Sequence, residues 1–242
     1  MTRISALITV LAAATTALAG TISPEVLFRR DDTIWCGAIQ SKVPSGHFTD
    51  VYGEWVIPKL SKRNGQGGST PNNELNVPMW VGIDGVGGIC NKGALLQAGT
   101  TSFLHPDGKE STQFWVEFFP KPAAFQNFEV NTGDRVGVQI HADSMTKGTV
   151  HLHNLTKKKT KTVTIEAPAG KSLCGKSLEW IIEWSGAGLP HFDGFNSKAS
   201  GKTSTGKSVN AKGSQLADVH RGGKSYCKGS VTNSGDVHFA PN

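Results

Sequence analysis

The sequence predicts an all-β fold in which two antiparallel sheets pack as a sandwich within one domain. The chain contains 29 glycines in 242 residues, turn-forming residues recur roughly every eight to twelve positions, and helical periodicity is nearly absent. Strand candidates of this length and spacing suit two packed sheets. The candidates cover residues 33–40, 47–57, 77–83, 94–101, 112–119, 135–142, 149–154, 160–166, 178–184 and 236–239.

Two segments between the predicted strands have the composition of long loops. Residues 61–76 are rich in Gly, Asn and Ser, and residues 196–213 are dominated by Ser, Lys, Gly and Thr. Because both have few apolar side chains to bury, we expect mobile loops within one domain, not linkers between domains.

The first residues have the pattern of a secretory signal. A lone Arg3 is followed by an apolar run that ends in Ala17-Leu18-Ala19, an A-x-A cleavage site. The run is too short for a convincing membrane span, and no later segment is long and apolar enough for one. We therefore expect a signal peptide over residues 1–19 and an exported, secreted protein.

A dibasic pair, Arg29-Arg30, predicts a second cut that makes residues 20–30 a short propeptide; the alternative is an ordinary exposed pair. The remaining single β-sandwich domain, residues 31–242, has a formal charge of +4, against +6 for the whole chain.

The densest basic patch, residues 157–161, lacks interleaved aromatic side chains. This pattern favours a solvated hairpin tip over a nucleic-acid site.

Four cysteines in an exported chain are expected to form two disulfides, for which three connectivities are possible. Asn154-Leu155-Thr156 is a glycosylation sequon and predicts a modified surface turn at Asn154. His151 and His153 share a strand face, but the sequence places no third ligand beside them, so exposed histidines are favoured over a metal site.

Side-chain alternation sorts each strand into an apolar face and a face that carries acids, an amide or indoles. If the strands are neighbours, the second set lines one concave surface suited to a polymer. The alternative is that these are solvent-facing residues of an antiparallel sheet. The set contains Trp80, Asp84, Gln97, Trp115, Glu117 and Glu183.

Two residues of this set have the chemistry that peptide hydrolysis needs. Glu183 can take a proton from water, and the amide of Gln97 can donate to an oxyanion without titrating. Neighbouring carboxyls of Asp84 and Glu117 would raise carboxyl pKa values by like-charge repulsion, which suits work in acid.

Several strings of the chain resemble the glutamic peptidases, or eqolisins. They are Trp-Val-Gly-Ile-Asp-Gly at 80–85, Leu-Gln-Ala-Gly at 96–99, Trp-Val-Glu-Phe-Phe-Pro at 115–120, Glu-Trp-Ile-Ile-Glu at 179–183 and Trp-Cys-Gly-Ala at 35–38. The resemblance implies a concanavalin-like jelly roll with a concave substrate groove and acid endopeptidase activity. By this match Gln97 and Glu183 are the catalytic pair, and the supporting positions are Trp35, Trp80, Asp84, Trp115 and Glu117.

The resemblance also implies a Cys90–Cys174 disulfide, which leaves Cys36 to pair with Cys227. It implies no metal or organic cofactor, insensitivity to pepstatin, and a fungal source. We expect a monomer that acts on polypeptide substrates and has neither nucleic acid nor membrane as a partner.

The chain departs from the family at some positions. It is basic, Trp184 stands where an acid is expected, and residues 185–214 follow the family poorly. Other functions therefore stay open: a carbohydrate-binding sandwich without catalysis, a glycosidase that uses Glu117 and Glu183, and a catalytically dead relative, against which the intact Gln97 and Glu183 argue.

Overall fold

The computed structural model describes residues 33–68, 70 and 72–242, so the predicted signal peptide and propeptide lie outside the described residues. The described residues contain antiparallel strands and no helix that could span a membrane. The strands are β1 Trp35–Gln40, β2 Phe48–Val56, β3 Leu60–Ser61, β4 Leu75–Asp84, β5 Leu95–Leu104, β6 Glu110–Phe119, β7 Ala124–Gln126, β8 Arg135–Ser144, β9 Lys147–Asn154, β10 Lys159–Glu166, β11 Leu178–Glu183, β12 His191–Phe192, β13 Phe195–Thr203, β14 Ser208–Val209, β15 Gln215–Arg221, β16 Lys224–Val231 and β17 Val237–Pro241.

The sheet is one continuous hydrogen-bonded path that folds over on itself. Its order is β10-β9-β8-β2-β13-β17-β16-β15-β1-β11-β4-β5-β6-β7. One half of this path, made of β1, β11, β4, β5, β6 and β7, packs on the other half, made of β10, β9, β8, β2 and β13. Strands β15, β16 and β17 connect the two halves at one edge. The main apolar core lies between the halves, which confirms the predicted antiparallel sandwich.

Two buried indoles bridge the halves of the sandwich. The Nε1 of Trp180, on β11, donates to the backbone oxygen of Tyr52 at 2.9 Å. The Nε1 of Trp55, on β2, donates to the Oγ1 of Thr100 at 3.2 Å. A buried indole N–H without a partner carries a desolvation cost, so these bonds let Trp side chains fill the core and fix how the two halves are placed.

The expectation of a mobile loop over residues 196–213 is wrong for the first half of that segment. Strand β13 lies there, between β2 and β17 in the second half of the sandwich. Its buried positions are small residues, Ser197, Ala199, Gly201 and Thr203, which alternate with exposed polar residues. A Cβ at Gly201 would lie 2.3 Å from the Cδ1 of Leu178. Buried and exposed residues do alternate along this strand. The inward positions hold small side chains because the two sheets pack closely there.

The sequence analysis also missed the hairpin of β15 and β16. Its turn is Gly222-Gly223, and both glycines have positive φ, 54° and 74°. Two glycines between strands are a recognised signal for a tight hairpin turn, because such turns require left-handed backbone. β15 pairs with β1, so this hairpin completes the sheet beside the predicted site.

Both expected disulfides are formed. Cys36 on β1 is bonded to Cys227 on β16; their Cα atoms are 5.9 Å apart, and the two residues are 191 positions apart in sequence. Cys90 is bonded to Cys174, with Cα atoms 5.8 Å apart. The first bond ties the N-terminal strand to the C-terminal hairpin, and the second ties the loop after β4 to the loop before β11.

The expectation that Asn154 carries a glycan is wrong for the folded domain. Its side chain is fully buried, and its Nδ2 donates to the carboxylate of Asp134 at 2.8 Å and to the backbone oxygen of Glu129 at 3.1 Å. Its Oδ1 accepts from the backbone N–H of Lys157 at 3.0 Å. A sugar on Nδ2 would need the space and the bonds that this turn uses.

Candidate active site

The predicted site residues come from neighbouring strands in the order β1-β11-β4-β5-β6. Trp80 of β4 lies opposite Ile181 of β11 and opposite Gly99 of β5, and Gln97 of β5 lies opposite Glu117 of β6. Side chains of directly opposed residues share one face of a sheet. This face, which points away from the main core, carries Trp35, Trp80, Gln97, Trp115, Glu117 and Glu183.

Glu183 lies at the end of β11, opposite Trp35 on β1. The residue is 5% exposed, and its Oε2 accepts a hydrogen bond from the Nε1 of Trp80 at 3.0 Å. Its Oε1 is buried and makes no direct hydrogen bond within the described residues. Burial raises the pKa of Glu183 to about 8, against the opposing effects of the Trp80 and Trp35 indoles. One carboxyl oxygen is therefore anchored by Trp80, and the other, with Trp35 nearby, has room in its hydrogen bonding for a ligand.

Gln97 and Glu117 form the second polar pair of the face. The Nε2 of Gln97 donates to the Oε2 of Glu117 at 2.8 Å, and both side chains are almost fully buried. Burial, together with the charge of Glu183, raises the pKa of Glu117 to about 8. The two carboxyls are thus close enough to interact. The bond to Glu117 also orients the amide of Gln97, and the second N–H of this amide can donate to a ligand.

Three indoles surround these groups and make the site more enclosed than an open groove. Trp35 and Trp80 pack edge to face with ring centroids 5.1 Å apart, and Trp115 belongs to the same apolar cluster as Leu95. The Nε1 atoms of Trp35 and Trp115 are buried without a partner among the described residues. Unpaired buried donors are costly, so these atoms are suited to bind a water molecule or a ligand.

Asp84 does not join this constellation, contrary to the sequence-based expectation. Its φ of 69° breaks the alternation of β4. Its carboxylate accepts the backbone N–H groups of Cys174, Gly175 and Lys176 at 2.6, 2.8 and 2.7 Å. Asp84 therefore holds the loop that leads into β11, next to the Cys90–Cys174 disulfide, and it supports the site from outside.

Glu179 is a buried acid to which sequence reasoning assigned no role. It lies four residues before Glu183 on β11 and is fully buried, and neither of its carboxyl oxygens makes a direct hydrogen bond within the described part of the chain. Burial raises its pKa well above the ordinary range; the nearby hydroxyl of Ser177 opposes this effect, and the charge of Asp84 adds to it. Its alternation with Glu183 could place it on this face, but only the structure shows how completely it is enclosed.

Gly99 is a second residue that the sequence analysis did not single out for a role. A Cβ at this position would lie 2.0 Å from the backbone oxygen of Met79 and 2.7 Å from the Cβ of Trp80. Real Cβ atoms do not approach so closely, so β4 would have to move. The absence of a side chain at Gly99 allows Trp80 to reach Glu183.

Replacing Gly99 by Ala is expected to reduce both stability and peptide hydrolysis. The new methyl group displaces Trp80, breaks its bond to Glu183, and costs about 1–3 kcal/mol of unfolding free energy by overpacking. Urea unfolding and the steady-state rate measure the two effects. Gly67→Ala is the matched control for stability, since Gly67 is exposed, its backbone is not left-handed, and a Cβ there meets only the Oδ1 of Asn73 at 3.4 Å. Full activity of Gly99→Ala would contradict the role assigned to this glycine.

Comparison with known proteins places the chain in a family. Residues 33–240 match the Peptidase A4 family. The chain is 31% identical to Aspergillopepsin-2 of Aspergillus niger over a 219-residue alignment that covers 84% of this chain and 74% of the relative. It is also 31% identical to Scytalidopepsin B of Scytalidium lignicola, over 105 residues that cover 43% of this chain and 38% of the relative.

Solved structures show the same fold. A scytalido-glutamic peptidase crystallised with a peptide-based transition-state analog has a TM-score of 0.68 at 23% identity, over 88% of this chain and 99% of that chain. Aspergilloglutamic peptidase from Aspergillus niger has a TM-score of 0.61 at 28% identity, over 69% of this chain and 99% of that chain. With most of its length matched, the chain belongs to the Peptidase A4 (eqolisin) family of glutamic peptidases.

Proposed function

We propose that the protein is a secreted acid endopeptidase in which Gln97 and Glu183 form the catalytic dyad. The observation that carries the proposal is the pair of half-used polar groups on one buried face: Glu183 is anchored by Trp80 with one oxygen open, and Gln97 is anchored by Glu117 with one N–H remaining. Family membership favours peptide hydrolysis over the carbohydrate-binding and glycosidase alternatives.

In the proposed reaction Glu183 acts first as a base and then as an acid. Its open oxygen takes a proton from the water that attacks the scissile carbonyl, while the amide of Gln97 donates to the oxygen that becomes negative. The carbon–nitrogen bond then breaks, and Glu183 returns the proton to the leaving amine. Every proton taken from water is therefore returned, and no metal or cofactor is required by these steps.

The protonation states of the two carboxyls support this division of roles. The reaction needs the charged form of Glu183, and the indole N–H groups of Trp80 and Trp35 favour this form, against the effect of burial. The charge of Glu183 in turn raises the pKa of Glu117. Glu117 is therefore the carboxyl that stays neutral and continues to accept the bond from Gln97.

Export from a fungal cell is supported by the signal-like residues 1–19, by two disulfides and by similarity to fungal relatives.

The first test of the proposal is hydrolysis of an acid-denatured protein below about pH 4, with pepstatin present, by the chain from which residues 1–30 have been removed. We expect cleavage within the substrate chain. A folded protein that cuts nothing would contradict the proposal, and polysaccharide binding would be measured next.

Glu117→Gln separates the peptidase from the glycosidase alternative. An amide resembles the neutral carboxylic acid, so its oxygen can still accept from Gln97, and we expect peptide hydrolysis to remain within about tenfold of the parent. The fall in activity as the pH approaches 8 is expected to move or disappear, because the group that ionises there is gone. A glycosidase needs both carboxyls. A folded Glu117→Gln variant without any peptide hydrolysis would therefore contradict the supporting role assigned to Glu117.

A further inference from the structure

Two phenylalanine side chains, Phe103 and Phe125, form an aromatic pair on the same sheet face as the candidate site. Phe125 of β7 lies directly opposite Trp115 of β6, and it is 44% exposed. Phe103 of β5 is half-buried. The two ring centroids are 6.3 Å apart, and the rings are tilted by 51° to each other. An exposed aromatic surface beside a buried polar site is suited to bind a ligand.

The register of the sheet places Phe103 next to the proposed base. Side-chain alternation along β5 puts Phe103 on the face of Gln97. Phe103 lies directly opposite Asn76 of β4, and the Oδ1 of Asn76 accepts a hydrogen bond from the Oγ of Ser185 at 2.6 Å. Ser185 follows Glu183 by two residues. Phe103 therefore belongs to the row of side chains beside the row of Glu183.

The face that carries the candidate site is closed at one end and open at the other. Along β6, Glu117 is 2% exposed and Trp115 is 5% exposed, whereas Gln113 is exposed. At the closed end, Val86 and Leu95 are buried in the same apolar cluster as Trp115. The aromatic pair lies at the open end, on both sides of β6, so a peptide that approaches the buried polar groups from this end meets both rings.

The open end offers apolar surface, and its described side chains carry no unpaired charge. Besides the two rings, alternation places Thr101, Ser111 and Gln113 there, and all three are uncharged. His105, which follows β5, bonds through its Nδ1 to the Oε1 of Glu74 at 2.8 Å and through its Nε2 to the Oγ of Ser111 at 2.9 Å. A ligand therefore gains most at this end by burying an apolar side chain.

The spacing of the strands indicates which substrate residue reaches the aromatic pair. β7 is the second strand beyond β5 in the sheet, so Phe125 lies about 10 Å from Gln97 across the strands, at about 4.8 Å per step. An extended peptide rises about 3.3 Å per residue. It therefore covers this distance in about three residues.

We infer that Phe103 and Phe125 form a subsite for an aromatic or large aliphatic side chain of the peptide substrate, about three residues from the scissile bond. The inference rests on the proposed peptidase function and names the substrates that it favours. The bound side chain packs against the two tilted rings and covers the exposed surface of Phe125. The scissile carbonyl lies at the same time between Gln97 and Glu183.

The test compares kcat/KM for peptides that carry Phe, Leu or Ala at one position, scanned over about three residues on each side of the scissile bond. We expect the Phe and Leu peptides to be cut about tenfold faster than the Ala peptide at the position that reaches the aromatic pair. A Phe-over-Ala ratio near one at every position would overturn the inference. Failure of the proposed function is distinguishable, because the parent enzyme would then cut none of the peptides.

Variants of the aromatic pair assign the preference to these two residues. Phe125→Ala is expected to lower the Phe-over-Ala ratio at that position by about threefold or more, and Phe103→Ala to lower it as well. Val56→Ala is the matched control and is expected to leave the ratio unchanged, since Val56 is 46% exposed but lies on β2, in the other half of the sandwich. Thermal midpoints show that the variants fold. A ratio that both folded variants retain would contradict the assignment.

A second copy of this chain is the other occupant that an exposed apolar surface could have. Sedimentation of the parent and of Phe125→Ala at several concentrations detects self-association. We expect both proteins to sediment alike. A dimer that Phe125→Ala dissociates, together with an unchanged Phe-over-Ala ratio, would assign the aromatic pair to an interface between copies and overturn the subsite.

Discussion

Replacing Glu183 by Gln is expected to lower kcat for peptide hydrolysis by about 10²- to 10⁴-fold, the usual contribution of a positioned general base. The amide keeps the size of the carboxyl, and its oxygen can still accept from Trp80, so the fold and substrate binding are retained. What is lost is the group that takes a proton from water. Initial rates at saturating peptide, with the thermal midpoint measured on the same sample, give the result.

Gln97→Ala is the companion variant and is expected to lower kcat by about 10²- to 10³-fold with a smaller effect on KM, because an oxyanion donor acts mainly in the transition state. Gln126→Ala, on the edge strand β7, is the matched control for loss of a glutamine. A Gln97→Ala or Glu183→Gln enzyme that keeps a third or more of the parent rate would remove that residue from the proposed dyad.

The second large effect concerns stability, which we expect to fall steeply as the pH rises from about 4.5 to about 8. Glu117 has an ordinary pKa of 4.5 and a pKa of about 8 in the folded protein, and the pKa of Glu179 is also raised. Between these values the folded state binds more protons than the unfolded state. Each such group then removes about 1.4 kcal/mol of unfolding free energy per pH unit.

The sign is the opposite of the usual acid denaturation. A carboxyl whose folded pKa is raised contributes stability that is fully present below its unfolded pKa and is lost as the pH rises through the folded value. Urea unfolding at several pH values from about 4 to about 8 measures the slope. Glu179→Gln is expected to flatten it, and Glu166→Gln, an exposed control on β10, to leave it unchanged. Stability that rises across this interval would contradict the burial of these acids.

The strands that form the site were predictable because their alternation is strong. In the strands of Trp80, Gln97 and Glu183, β-branched, Leu and aromatic side chains supply the core face, so the polar face stands out by contrast. The pairing of Gln97 with Glu117 required the register, which a single sequence does not specify. The bond between Trp80 and Glu183 required knowing that β11 and β4 are neighbours although they are far apart in the chain.

Other features were hidden by local chemistry. Asp84 follows the alternation in sequence but leaves it in space, because a left-handed backbone at the strand end turns its carboxylate toward the loop 174–176. β13 was missed because its inward positions are Ser, Ala, Gly and Thr, which resemble loop composition. Asn154 has the sequence of a glycosylation site, but sequence does not reveal that its amide is consumed by the turn itself.

The place of β1 in the sheet has a consequence for biosynthesis. β1 is the first strand of the described chain, yet its partners are β11 and β15. Its cysteine, Cys36, forms a disulfide with Cys227, which is 191 positions later in the sequence. As the polypeptide emerges from the ribosome, Trp35 cannot take its position beside Glu183 until β11 has been synthesised, and β1 lacks its second neighbour until β15 follows. A nascent chain that has not yet reached β11 therefore has no assembled candidate site, and activity inside the cell that makes it can begin only after that strand has been added.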